Sequence, residues 1–448
     1  MPVWWTRLRG WPKLPLALLV LLCLASFGAR AAWIGLPCQS PCTRPVDHLL
    51  IFDEHYYVNS ARVMAGLRPP AAQGAAYAHA PLGSDPNAEH PQLAKLIMAG
   101  AIEALGDGPW AWRIGSLIFG TLAILGMFAL VRAANGGPWL ALGASALMAC
   151  DNLMLVQGRI GTLDIYVVAA MVWAGALYLW GHPLLSGLLT GIGASMKPFA
   201  LDLVAVLLLY EVLSLRCTPV HISESRTGLR ARVPEIRGAL TRLLGAYGVT
   251  GAAFIGLLAI LDQIAPPYDN AAGHFVRGGP LAHIGHMISY AAGQTGQAGI
   301  ASYPWQWLID LKPIDYLSID VGPRVPGVPY DHPSVHFLGF ISPPILLAGL
   351  IGTAVALAKA LAGRASTDRR LIVLASAWFL GTFGPFVVAG GLFNRTSYLY
   401  YMMIVMPGMY VAGAWLVRRL RRHAWLISVW VVAVLAGAVL LYPFTPLT

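Results

Sequence analysis

An all-helical protein threaded repeatedly through a membrane is the fold class that three features of the sequence predict. Of its 448 residues 57% are apolar and 11% charged, with a mean hydropathy of +0.64, against about 45–50% and about 25% in ordinary globular domains. Polar groups are too few to cover the apolar surface of such a chain, so lipid must solvate much of it. The apolar residues also arrive in runs of about 20, the length a helix needs to cross a bilayer. Third, the excess of 30 Lys+Arg over 20 Asp+Glu is gathered between those runs. That fits orientation in a membrane rather than nucleic-acid binding, for which no motif occurs.

The first run, about 14 to 34, follows Trp4, Trp5, Arg7, Arg9 and Lys13. It is read as an uncleaved span, because Phe27 and Arg30 stand where a signal peptide would carry a small-residue cleavage site. Further spans are expected at about 110–131, 138–156, 162–180, 183–197, 198–215, 243–264, 337–358, 371–391, 398–417 and 424–442, about eleven in all. Alternate connections carry the basic residues: Arg7, Arg9, Lys13; Arg132; Arg216, Arg226, Arg230, Arg232, Arg237, Arg242; Lys359, Arg364, Arg369, Arg370; and Arg418, Arg419, Arg421, Arg422. Only Glu224, Glu235 and Asp368 accompany them. This alternation puts the N-terminus and the basic 216–242 connection in the cytoplasm of a cell membrane and the C-terminus outside. The chain reads as one integral membrane domain, 1–448, without repeats.

Two outer connections are long, 35–109 and 265–336, and loops of that length usually carry function. Cys38 and Cys42 lie in the first, between prolines, and either a disulfide or two free thiols suits them. Cys23, Cys150 and Cys217 fall in or beside apolar runs and read as packing residues.

Ile51 to Gly66 has the pattern of a short amphipathic helix that begins at Asp53 and stops at Gly66. A carboxylate there is ordinarily a helix cap. Asp53, Tyr56 and Tyr57 nevertheless share one face while Glu54 points about 100° away, so one acid could face a cavity while the other orients it or pairs with a base. His90-Pro91 ends an extended segment and starts a helix holding Lys95, either a snorkelling lysine or a cation for an anionic head group. Arg113, Arg159, Asp164, Lys197 and Arg395 map to outer ends of spans. Singly each reads as an anchor or a structural ion pair. Together they suit a site that binds a phosphate and deprotonates a group beside it.

The order of these motifs resembles the dolichyl-phosphate-mannose-protein O-mannosyltransferases and their bacterial relatives, GT-C type enzymes of glycosyltransferase family 39. The resemblance rests on Phe52-Asp53-Glu54 with Tyr57, His90-Pro91-Gln92-Leu93-Ala94-Lys95, Trp112-Arg113-Ile114, and Arg159 with Leu163-Asp164. It continues through Ser302-Tyr-Pro-Trp-Gln-Trp-Leu308 to Arg395-Thr-Ser-Tyr-Leu-Tyr-Tyr401 and Met406-Pro407. The aminoarabinose transferases of lipid A are similar more distantly. Gln92 replaces the second proline usual in the family, Lys197-Pro198 replaces Lys followed by an aromatic, and the second loop is too short for the β-trefoil of eukaryotic members.

The resemblance implies a GT-C helix bundle and transfer of a sugar, mannose first, from a polyprenyl-phosphate donor to Ser or Thr of an exported protein or peptide. By it, Asp53 is the general base, and Glu54 orients the acceptor or pairs with a nearby cation. Lys95, Arg113, Arg159, Lys197 and Arg395 are the candidates for the donor phosphate. Tyr56, Tyr57, His90, Asp164, Trp305, Tyr398 and Tyr401 would line the pocket. Inversion by single displacement is expected, with no metal and no cofactor. His274, His283 and His286 are a weak alternative metal set, and His283 and His286 read as solvated loop residues. Transfer to a lipid or glycan, and a membrane transporter, remain alternatives.

Overall fold

The computed structural model describes residues 13–217, 228–321, 330–363 and 367–445. Arg7, Arg9, Glu224, Arg226 and Arg364 of the expected inner face lie outside these residues, as do the side chains of Arg230 and Arg232. Seven helical stretches are long and apolar enough to cross a membrane: Leu14–Ala31, Pro109–Ala133, Pro198–Cys217, Val233–Ile264, Pro343–Leu361, Arg369–Phe393 and Leu399–Arg419. Four shorter apolar helices, Pro138–Cys150, Asp164–Leu179, Pro183–Ala194 and Ala424–Leu440, complete the bundle. The protein is a multi-pass membrane helix bundle.

Prolines set several boundaries. Pro109, Pro138, Pro183 and Pro343 each occupy the first turn of their helix, where the missing N–H costs nothing and φ is already helical. Two expected spans are corrected. The run 138–156 breaks at Asp151, whose carboxylate accepts from Leu153 N at 3.1 Å and starts a separate short helix, Asn152–Gln157. The run expected from 337 begins at Pro343, because Val335–Gly339 is a strand, β4, antiparallel to β3 at Ile314–Ile319 with Ile314 opposite Gly339. A smaller ribbon pairs β1, Tyr268–Asp269, with β2, His274–Phe275.

Helices pack closely where side chains are small, as membrane bundles require in the absence of a hydrophobic drive between helices. Pro343–Leu361 lies on Met402–Arg419. In that seam a Cβ on Gly352 would fall 2.5 Å from the Ala412 carbonyl oxygen. The two ends of the bundle differ in charge. One end gathers Arg370 on Asn135 and the Leu179 carbonyl, Arg242 on Glu211, and Arg418 with Arg419 on Asp368. The other end carries both long connections and every residue expected to do chemistry.

The helix–helix seam yields the first prediction. Gly352→Leu should destabilise the protein by about 1–3 kcal/mol, the range for overpacking, seen as a lower thermal unfolding midpoint in detergent with the fold otherwise retained.

Candidate active site

Asp53 immediately precedes the first residue of helix α1, Glu54–Met64, yet does not cap it. Capping needs an extended backbone at that position. Asp53 instead has φ −67° and ψ −6°, and its side chain makes no capping hydrogen bond. The carboxylate forms neither hydrogen bond nor ion pair among the described residues. Withdrawal from water pushes its pKa up to about 7, with the Lys197 cation pulling it down and the Asp164 charge adding to the rise.

Those two neighbours form the centre of the cluster. Lys197 Nζ bonds both oxygens of Asp164 at 2.8 and 2.9 Å, and both side chains are buried. Pro198 keeps Lys197 extended, φ −159° and ψ 135°, since proline disfavours the helical region for the residue before it. Asp164 opens the helix Asp164–Leu179, where exposed N–H groups favour an anion. Around Lys197 stand the rings of Phe199, Tyr400 and Tyr401, at 5.2, 5.3 and 5.5 Å from Nζ. His90 lies 5.9 Å from the Tyr57 ring. Burial, then the charges of Lys197 and Lys95, hold its pKa well below the usual value, so the imidazole is neutral.

Other expected residues have different partners. Glu54 is fully buried: Oε1 accepts from Arg113 Nε and Gly161 N, both at 2.7 Å, and Oε2 from Arg113 Nη2 at 2.7 Å and Ile51 N at 2.8 Å. It is paired with a cation, as one of the readings of the acid pair had it, and has no face toward a substrate. Arg113 also donates to the carbonyls of Ile34 and Leu49. Lys95 is neither a snorkelling lysine nor open to a phosphate. Its ammonium donates to Asp85 at 2.6 Å and to the carbonyls of Asn87 at 2.6 Å and His90 at 2.9 Å, using all three protons. Arg159 donates to the carbonyls of Ala32 and Trp33 and lies against Phe444 and Phe337.

Arg395 remains. Its guanidinium makes no hydrogen bond or ion pair among the described residues and lies within electrostatic reach of Tyr401. Its main chain, by contrast, is pinned: Gly296 N donates to Asn394 O, Thr396 N to Gln294 O, and Gln297 Nε2 to the Arg395 carbonyl. Tyr398, half-buried, stacks on Tyr400. Tyr56 is exposed. Trp305 is also exposed, stacked on Tyr303, and it is Trp307 that is buried against Phe386 and Tyr401.

Several participants escaped the sequence reading. Tyr316 packs on Phe52 at 4.4 Å. Glu89 is a half-buried acid whose pKa burial raises, and its position beside His90 was the available signal. His283 is fully buried between Asp262, 2.7 Å away, and the Ala88 carbonyl, so it is not a solvated loop residue. Cys38 and Cys42 are joined as a disulfide. With His48 they form the metal-compatible cluster found among the described residues, and their sulfurs are already bonded to each other.

The architecture is that of a GT-C type membrane bundle. It matches the S. cerevisiae protein O-mannosyltransferase complex bound to the sugar donor with a TM-score of 0.67, over 96% of this chain and 90% of that one, at 11% identity. It also matches ArnT from Cupriavidus metallidurans bound to undecaprenyl phosphate with a TM-score of 0.51, over 96% and 64%, at 16% identity.

Within that class the sequence is more specific. Residues 87–221 match the dolichyl-phosphate-mannose-protein mannosyltransferase family. Over 154 residues the chain is 32% identical to the polyprenol-phosphate-mannose–protein mannosyltransferase of Corynebacterium glutamicum, a stretch covering 34% of this chain and 28% of that protein. The family segment holds His90, Lys95, Arg113, Arg159, Asp164 and Lys197. Asp53 and Arg395 lie on either side of it.

Lys95 supplies the test of these assignments. Lys95→Met leaves Asp85 buried without its cation and should cost about 3–5 kcal/mol, read as a fall in the thermal midpoint. A variant of normal stability whose defect is confined to donor affinity would return Lys95 to the phosphate.

Proposed function

We propose that the protein transfers a monosaccharide, mannose first, from a polyprenyl-phosphate donor to Ser or Thr hydroxyls of exported proteins. The observation that carries this reading is the unpaired Asp53 carboxylate beside the Lys197–Asp164 pair, at the same end of the bundle as the unpaired Arg395. The family match over residues 87–221 supports the choice of donor and acceptor.

An alcohol is a poor nucleophile at neutral pH, so its attack on C1 of the sugar needs a base that takes the proton as the new bond forms. A carboxylate with a pKa about 7 suits that task better than one near 4. The hydroxyl oxygen bonds C1, its proton passes to Asp53, and the bond from C1 to the phosphate oxygen breaks with its electron pair leaving on the phosphate. The departing polyprenyl phosphate is already a stable anion and needs no acid, only cations. Arg395 has free donors for it, and Lys197 adds positive field from within its pair. One displacement inverts the anomeric centre. Transfer without a metal is part of the proposal, as are a cell-membrane location, a cytoplasmic N-terminus and an external C-terminus, which place the cluster outside, where exported acceptors are met.

The deciding experiment gives membranes containing the protein labelled polyprenyl-phosphate mannose and a Ser/Thr-rich peptide. Asp53→Asn should lower transfer at least about 10²-fold. Label found in lipid alone would end the protein-acceptor reading.

The pH profile follows in sign from the raised pKa. The base works only when deprotonated, so kcat/KM should climb with pH and level off above about 7, falling about tenfold per unit below that. An acid limb near 4 would contradict the desolvation of the half-buried Asp53. Arg395→Ala should slow transfer about 10²-fold, the scale for losing one stabilising donor, with the thermal midpoint unchanged.

A further inference from the structure

We propose that Phe52 is a positioning residue for Asp53, and that it acts by inserting its ring between Tyr316 of the second long connection and Tyr400. This rests on Asp53 being the base.

Phe52 has φ +55°, a left-handed backbone that a bulky L-residue adopts only when its surroundings impose it. Both flanks supply the constraint. Glu54 N donates to the Ile51 carbonyl at 3.1 Å, and Ile51 N donates to Glu54 Oε2 at 2.8 Å, closing a turn around Phe52. Glu54 is itself held by Arg113 and Gly161 N. The reversal at Phe52 delivers Asp53 into the helix with its carboxylate away from the N–H groups it would otherwise cap.

The ring of Phe52 lies 4.4 Å from Tyr316 and 5.6 Å, edge-on, from Tyr400. Tyr400 in turn faces Lys197. Tyr316 on β3 is fixed at its phenol end by two contacts. Its hydroxyl accepts from Gln157 Nε2 at 2.8 Å, and Gln157 Oε1 accepts from Thr162 Oγ1 at 2.6 Å, two residues before Asp164. Its ring occupies the space over Gly339 of β4, where a Cβ would fall 2.5 Å from Tyr316 Cζ. Phe52 therefore joins the candidate base to the aromatic wall around Lys197 and to the β3–β4 ribbon. The turn fixes the backbone, and the ring braces the side of Asp53 from which the carboxylate would otherwise relax onto the helix terminus and meet water.

Two variants test this. Phe52→Gly accepts the left-handed backbone and deletes the ring. Gly339→Val keeps Phe52 and Asp53 unsubstituted and pushes Tyr316 out of its slot, removing the support of the Phe52 ring. The primary readout needs no turnover: a water-soluble carbodiimide labels protonated carboxyls, and mass spectrometry follows the Asp53 peptide against pH. In the unmodified protein labelling should fade through about pH 7. In either variant the midpoint should drop by at least about one pH unit, toward the ordinary carboxylate range near 4. In the transfer assay, kcat should fall about 10- to 100-fold, the scale of a misplaced reacting group, with donor KM within about threefold. An unchanged midpoint in a folded variant overturns the inference even if transfer is slow. Retained transfer in Asp53→Asn would overturn the assignment of the base instead, and the labelling midpoint would still decide whether Phe52 places that carboxyl.

Discussion

Buried away from water, the Glu54 carboxylate accepts four hydrogen bonds, and the rest of the outer end depends on them. Arg113 reaches it from the start of a span, Gly161 from the turn before Asp164, and Ile51 from the first long connection. Arg113 extends the same junction to the chain leaving the first span through the Ile34 carbonyl. An unpaired charge left in that place would cost about 3–5 kcal/mol, so four separated segments stay docked or separate together. The backbone turn that presents Asp53 is built on this junction.

The Asp-Glu doublet thereby divides its labour. Two adjacent residues on a helix point about 100° apart. One carboxylate is saturated with donors and the next has none among the described residues. They then serve oppositely: the saturated one ties segments together, and the bare one, withdrawn from water, has its pKa pushed up to about 7. Lys197 tempers this by facing Asp53 while already bound to Asp164. A free lysine at that place would oppose the rise more strongly, and a missing one would leave two acids repelling each other.

Much of the bundle was legible in the sequence, because spanning helices need long apolar runs and the prolines at 109, 138 and 183 stand where three of them begin. The helix Glu54–Met64 and its stop before Gly66 were legible for similar local reasons. Pairings were not. Lys95 and Asp85 are joined through a loop that doubles back, and no periodicity reports which acid a buried lysine meets. The cap expected of Asp53 failed because one residue, Phe52, takes a backbone conformation that its side chain does not advertise. His283 was misjudged because Asp262, its partner, ends a different helix. Trp305 and Trp307 differ by two positions, and only packing tells the exposed ring from the buried one.

Arg395 is held by its peptide groups and not by its side chain, which leaves the guanidinium outside the scaffold's own bonding. Architecture and chemistry are thus uncoupled at that position. An exchange there would change the charge presented at that end of the bundle while the surrounding ladder of amides keeps its shape, a freedom that the saturated arginine at 113 does not have.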